Sequence, residues 1–76
     1  MNMKRRDEIS ACIKSANSLS AIIDRLKSEE EDCRDAIPEN LQGSERYDNA
    51  DSACDALQDA LDSLDEVIEH LESAKE

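Results

Sequence analysis

Apolar residues recur along the second half of the chain at alternating steps of three and four. This seam consists of Tyr47, Ala50, Cys54, Leu57, Leu61, Leu64, Ile68 and Leu71. A flanking row returns every seven residues, at Ala53, Ala60, Val67 and Ala74. A repeat of 3.5 residues lets a helix keep one face against a neighbouring helix. The pattern therefore predicts a helix over about 45–74, and its three-position width is typical of a bundle of more than two helices.

The first half of the chain carries the same three-four register. Its seam is predicted at Ile9, Cys12, Ala16, Leu19, Ile23, Leu26, Cys33 and Ile37. Glu30 interrupts the register once, and Ile13 and Ile22 widen the apolar face. We expect a first helix over about 4–36.

A short connection separates the two periodic segments. Pro38 disfavours helical geometry at the residue before it, so the first helix should end near residue 36. Gly43 permits a positive φ, and Ser44 is a good N-cap for the second helix. The predicted loop is 37–44.

These elements predict one all-α domain over 1–76, an antiparallel two-helix hairpin. A hairpin covers each broad apolar face on one side only. The simplest way to cover the remainder is a symmetric dimer that forms a four-helix bundle. The first expected partner is therefore a second copy of the chain.

Charge is distributed unevenly between the halves. Residues 1–34 hold seven basic and seven acidic groups, whereas residues 35–76 hold thirteen acids against Arg46 and Lys75. The whole net charge of −11 thus belongs to the second half, where self-repulsion has to be offset by folding, counter-ions or a basic partner. The cluster Lys4-Arg5-Arg6 is followed at once by Asp7 and Glu8, so direct nucleic-acid binding is not expected.

The remaining composition indicates a cytoplasmic protein without cofactors. Three cysteines cannot complete an intramolecular set of disulfides, and all three fall on the apolar stripe, where we expect them in the core. No Cys or His pair has metal-ligand spacing. The basic N-terminus lacks the apolar run of a signal peptide, and no segment has the character of a membrane span. His70 is expected on the surface, and no nucleophile has a plausible base partner, so an enzyme is not expected.

The polar face of the second helix is strongly acidic. We select six of its carboxylates as a candidate binding face: Asp48, Asp55, Asp59, Asp62, Asp65 and Glu69. Charges one helical turn apart recur about every 5 Å, a spacing comparable with the phosphates of a nucleic-acid strand. The face is interpreted either as a DNA mimic or, more simply, as a solvated surface.

The loop and the start of the second helix form the second candidate site. Its residues are Asn40, Gln42, Ser44, Arg46 and Tyr47. A guanidinium and a phenol beside free backbone N–H groups at a helix start can hold a small anionic ligand or a partner's carboxylate. The alternative is structural: Tyr47 fills the end of the bundle, Arg46 pairs with a nearby carboxylate and Ser44 caps the helix.

The segment from Ile37 to Tyr47, with the letters IPENLQGSERY, and the acidic heptads after it resemble a group of small helical proteins. These proteins are encoded by bacteriophages and mobile elements, especially of Gram-positive gut bacteria. The resemblance implies a helical hairpin and a phage setting, hence the host cytoplasm, and it implies no particular activity. Its shared letters cluster in the loop rather than on the acidic face.

Three functions from different classes follow as hypotheses. The first is a counter-defence or host-modulating protein that sequesters a nucleotide-like ligand, or binds a host protein, through the loop site. The second is an acidic nucleic-acid mimic, similar in action to an anti-CRISPR inhibitor, that blocks a host enzyme. The third is a structural protein whose only task is self-association.

Overall fold

The computed structural model describes all residues 1–76. Two long helices are joined by one short turn, in the order α1 (Met3–Asp35), a 3-10 helix (Glu39–Leu41) and α2 (Glu45–Lys75). The helices pack against each other along their length, giving a rod of 59 × 15 × 12 Å. The prediction of an all-helical chain with two packed helices and no strands is confirmed.

Both helices begin at a capping side chain. Asn2 Oδ1 accepts a hydrogen bond from the Arg5 N–H at 2.8 Å, and Ser44 Oγ accepts one from the Tyr47 N–H at 3.3 Å. Each cap satisfies one of the backbone donors that a helix start leaves without a partner. The N-cap predicted at Ser44 is thus present, and α1 starts and ends one residue before the predicted range.

The turn between the helices is compact. Ile37, before Pro38, leaves the helical path and becomes one of the most buried side chains, at 6% exposed. The backbone then closes through hydrogen bonds from Leu41 N–H to Pro38 O and from Ser44 N–H to Leu41 O. No glycine has a positive φ, so the turn does not use the conformational freedom that Gly43 offers. Successive 3-10-type hydrogen bonds reverse the chain here without a left-handed residue.

The predicted seam of α2 is the face that meets α1. Ala50 and Cys54 are buried, and the other seam residues are half-buried: Tyr47, Leu57, Leu61, Leu64, Ile68 and Leu71. Of the flanking row, Val67 remains 46% exposed.

α1 is rotated relative to its predicted seam. The positions that face α2 are Ile9, Ile13, Ala16, Ser20, Ile23, Lys27, Glu30, Arg34 and Ile37. Four seam positions remain exposed, namely Cys12, Leu19, Leu26 and Cys33, together with Ile22. The core position expected for Cys12 and Cys33 is therefore wrong, and only Cys54 is buried.

The interior of the hairpin is small. Only four of 76 residues are buried (Ala16, Ile37, Ala50 and Cys54), and no side chain is completely enclosed. Neither helix has a stretch apolar and long enough to pass through a lipid bilayer.

Candidate functional site at the loop end

A cleft of about 430 Å³ opens where the end of α1 meets the start of α2. Its lining consists of Glu30, Cys33, Ile37, Glu45, Arg46, Asn49 and Ala50. Cys33, Ile37 and Ala50 supply an apolar floor, and the other four supply a charged and polar rim. The cleft is broad and open to solvent, so it resembles a docking groove more than an enclosed ligand cavity.

Of the five residues predicted for the loop site, one reaches this cleft. The exposed Arg46 lies on the first turn of α2 and lines the cleft without an ion-pair partner. Asn40 lies in the 3-10 helix and Gln42 caps it, both exposed and away from the cleft. Ser44 is occupied by capping, and Tyr47 is a half-buried member of the seam.

Sequence reasoning missed Glu30, Cys33 and Asn49 as members of this site. Glu30 could have been found from the sequence, because it occupies a position of α1 at which the three-four register predicts an apolar residue. Asn49 follows Arg46 by three residues and so shares its side of α2. Nothing in the sequence places Cys33 beside the same cleft as Arg46, because that placement depends on how α1 is rotated.

The cleft has a mixed charge. Arg46 provides one cation, and Glu30 and Glu45 provide two carboxylates on the same rim. The nearby Arg34 is not available, because its guanidinium donates to Asp51 Oδ1 at 3.0 Å and to Asp35 Oδ1 at 3.1 Å. The hydrogen bond to Asp35 is the main cause that raises the pKa of Arg34, which keeps the guanidinium charged. Since carboxylates outnumber free cations at the rim, a polyphosphate is repelled more than it is attracted.

The predicted acidic face lies on the surface of α2. Asp48, Asp55, Asp62 and Glu69 form a row at seven-residue steps, Asp59 and Asp65 flank it, and all six are exposed. Asp62 accepts a hydrogen bond from Gln58 Nε2 at 2.9 Å, and none of the six is in an ion pair. The row runs for about 30 Å along the helix at 1.5 Å per residue.

Other candidate chemistry is sparse. His70 is exposed, as expected. No group of three His, Cys, Asp or Glu side chains is arranged to hold a metal ion. Burial raises the pKa of the Cys54 thiol, so this cysteine stays protonated and behaves as a small apolar residue.

No protein-family model, curated protein or solved structure matches the chain.

Proposed function

We propose that this chain is a non-enzymatic binding protein that works as a dimer and engages its partner at the loop end. The observation that carries the proposal is the unpaired Arg46 guanidinium beside the apolar floor of Cys33, Ile37 and Ala50. Ile37 and Ala50 are themselves 6% and 8% exposed, so the apolar surface open to a partner here is mainly that of the exposed Cys33. A cation beside an exposed apolar surface is a common anchor of protein recognition. The resemblance to phage-encoded proteins makes the partner a component of a bacterial host and the role counter-defence or host modulation.

Between the two kinds of ligand expected at this end, the geometry favours a protein segment. Glu30 and Glu45 flank Arg46, so a complementary ligand carries an apolar group, a carboxylate and at least one cation. A peptide segment offers that combination, whereas a nucleotide offers mainly negative charge. A small ligand with a single negative charge remains compatible with Arg46.

Calorimetry separates these two forms. Cyclic and ADP-ribose-type nucleotides are titrated into the wild-type protein. If none of them releases or absorbs heat on mixing, the proposal that the loop end binds a small nucleotide is contradicted. The protein form predicts that a host partner captured by the wild type is lost with Arg46→Ala. The matched control is Arg25→Ala, which removes a guanidinium that contacts only Glu29 on its own helix. If Arg46→Ala and Arg25→Ala capture the host partner equally well, the loop end is not the binding site.

The dimer in this proposal is a four-helix bundle. It is supported by the small interior of the hairpin and by exposed large side chains, among them Leu19 at 48% and Ile22 at 47%. Size-exclusion chromatography with light scattering tests it, and a helical monomer at micromolar concentration rules it out. If host lysate yields the protein alone, self-association is its whole function.

One observation favours acidic mimicry as a second candidate. The six carboxylates of the acidic face are exposed and free of ion pairs, as a mimic of a phosphate strand requires. This candidate predicts salt-sensitive binding to a nucleic-acid-binding enzyme. Replacement of Asp55, Asp59, Asp62 and Asp65 by Asn then abolishes binding and Arg46→Ala does not, the opposite of what the loop-end site predicts.

A further inference from the structure

The two broad sides of the hairpin differ in chemistry. On α1 the exposed apolar row consists of Cys12, Leu19, Ile22, Leu26 and Cys33. On α2 a row at seven-residue steps starts at Arg46 and continues through Ala53, Ala60, Val67 and Ala74. Cys33 and Arg46 line the same cleft, which places both rows on one side of the hairpin, named here the apolar side.

The opposite side is polar. Lys27 Nζ donates to Gln58 Oε1 at 2.6 Å, and Arg34 bonds to Asp51 across the same boundary. A second, hydrophilic cleft on this side is lined by Asn17, Ser20, Ala21, Asp24, Lys27, Gln58, Leu61 and Asp65. A layer of two helices with one apolar and one polar side needs one further layer, placed on the apolar side.

The residues of the apolar side lie at matching levels. The cross-helix hydrogen bonds join Lys27 to Gln58 and Arg34 to Asp51, so a seven-residue step along α1 matches a seven-residue step back along α2. The same register sets Leu26 level with Ala60, to within one residue. It likewise sets Leu19 level with Val67, Cys33 with Ala53 and Cys12 with Ala74. At each level α1 presents the larger side chain, or one of similar size, and α2 in most cases a small one.

We infer that a second copy covers the apolar side by rotation about a two-fold axis parallel to the rod, with both loop ends at the same end of the bundle. This inference rests on the dimer of the proposed function and specifies its arrangement. Rotation about the long axis leaves every level unchanged and exchanges the two helices. Leu26 of one copy therefore lies over Ala60 of the other, so that large and small side chains alternate and interdigitate.

The alternative two-fold axis, across the rod, is less favourable. It stacks α1 on α1 and α2 on α2, so bulky side chains oppose bulky ones and alanines oppose alanines. It also brings like charge together, because α2 has ten acids against two basic residues, whereas α1 has eight against seven. With the axis along the rod, each acidic α2 lies over the nearly neutral α1 of the other copy, which lowers the repulsion.

The apolar side is large enough for a stable dimer. The whole face, 59 Å by 15 Å, projects roughly 900 Å², close to the 800 Å² or so that each partner buries in a standard interface. The apolar rows occupy about 32 Å of its length, since Cys12 and Cys33 are 21 residues apart at 1.5 Å per residue. The rows along its middle are free of charge from Ala53 to Ala74 on α2 and from Cys12 to Cys33 on α1. Burying this middle part therefore removes no ionised side chain from water, whereas Arg46, Glu30 and Glu45 lie at the loop end, where the cleft is open to solvent.

The arrangement has a consequence for the loop-end cleft. Both clefts lie at the same end and open toward the shared interface, so the Arg46 side chains of the two copies flank one two-fold site. A partner that touches both copies binds more tightly than one that touches a single copy, and it stabilises the dimer by linkage.

Distances between spin labels test the orientation. Gln42→Cys places a label on the exposed turn and Glu76→Cys places one at the opposite end, in a background in which Cys12 and Cys33 are alanine and the buried Cys54 is retained. Labels on two copies with paired loop ends are expected about 20–30 Å apart at both sites, from helix diameters of 10–12 Å. Opposed copies give a separation close to the 59 Å length of the rod at both sites.

The outcomes separate the arrangement from the dimer itself. Short distances at both ends support the arrangement. Long distances in a protein that remains dimeric overturn it and leave the dimer standing, and a monomer by light scattering overturns both. Where labelling perturbs folding, an exchange of side-chain size decides instead. Ala60→Leu is expected to weaken the dimer at least tenfold, and Leu26→Ala in the same chain to restore most of the loss; failure to restore it overturns the arrangement.

A charge variant with a matched control locates the interface independently. Leu26→Glu introduces a carboxylate on the apolar side and is expected to produce monomers. Ala21→Glu introduces the same charge on the polar side of the same helix, where the side chain is exposed, and should leave the dimer intact. The reverse result would overturn the assignment of the apolar side.

Discussion

Arg34 connects the end of α1 to the start of α2. Its side chain is 21% exposed and donates to both Asp51 and Asp35, whereas the carboxylate of Asp51 is 50% exposed. Water and salt screen a pair of that exposure, so its contribution to stability is modest, although it joins the two helices directly.

Arg34→Ala is expected to lower the free energy of unfolding more than Arg25→Ala does. Arg34 holds carboxylates on both helices, whereas Arg25 contacts only Glu29, with both side chains 60% exposed. Urea unfolding followed by helical circular dichroism measures both changes. A double-mutant cycle with Asp51→Asn should give a coupling that weakens as salt is added. Equal losses for the two arginines would contradict a role for Arg34 in joining the helices.

Cys54 gives the clearest dependence on pH. It is 4% exposed, and burial raises the pKa of its thiol above that in the unfolded chain. The folded state therefore keeps this proton after the unfolded state has lost it, and stability falls as the pH rises through the thiol range. Between about pH 8 and pH 10 the free energy of unfolding of the wild type should drop more steeply than that of Cys54→Ala. If the free energies of unfolding of the wild type and Cys54→Ala, measured by urea titration at each pH, fall equally with pH, this prediction is contradicted.

At the scale of the elements, the sequence predicted α2 more accurately than α1. α2 has one unbroken apolar seam, with the row from Ala53 to Ala74 on one side and the acidic row on the other, so its periodicity determines which face is buried. The register of α1 is interrupted at Glu30, and Ile13 and Ile22 widen its apolar face, so several rotations about the helix axis are compatible with the sequence. In the observed rotation Lys27 bonds to Gln58 and Arg34 to Asp51, and no periodicity reveals such pairs. The uncertain rotation of α1 also explains why Arg46, on α2, was predicted as a site residue whereas Cys33, on α1, was not.

The turn offers a stabilising substitution. Gly43 does not have a positive φ, and a Cβ added there would meet nothing within 4 Å. Gly43→Ala is therefore expected to raise the free energy of unfolding by about 0.4–1 kcal/mol, because it reduces the freedom of the unfolded chain. Urea unfolding measures the gain, and a loss would show that the turn depends on a conformation that only glycine adopts.

The two N-caps should differ in importance. Ser44 caps α2 next to the turn and is half-buried, whereas Asn2 caps α1 in a segment, 1–8, whose residues are all exposed, and a helix start without packed neighbours frays. Ser44→Ala is expected to cost about 1 kcal/mol, and Ser44→Gly only a few tenths. Asn2→Ala is the matched control and should cost less than Ser44→Ala in the same urea experiment. A larger cost at Asn2 would mean that the start of α1 is fixed by contacts beyond the hairpin.

At the scale of the whole molecule, the electrostatic energy is dominated by unbalanced negative charge. Three ion pairs engage only three of the twenty carboxylates, and the net charge is −11 on a rod 59 Å long. Because α2 holds most of this charge, repulsion acts along its outer face and between copies. A protein held mainly by ion pairs would lose stability as salt is added, whereas one opposed by self-repulsion gains it.

We therefore expect the melting temperature and the dimer affinity to rise with sodium chloride. Between 0.01 M and 0.15 M salt the Debye length shortens from about 30 Å to about 8 Å, which is less than the separation of most acidic pairs on the rod. Replacement of Asp55, Asp59, Asp62 and Asp65 by Asn should raise the melting temperature at low salt and flatten its salt dependence. The contrasting variant is Asp51→Asn, which removes the ion pair with Arg34; because salt weakens that attraction, its loss should not flatten the rise of the melting temperature with salt. A melting temperature that falls with salt in the wild type would mean that attraction between charges outweighs repulsion, and would remove the electrostatic reason for placing α1 of one copy over α2 of the other.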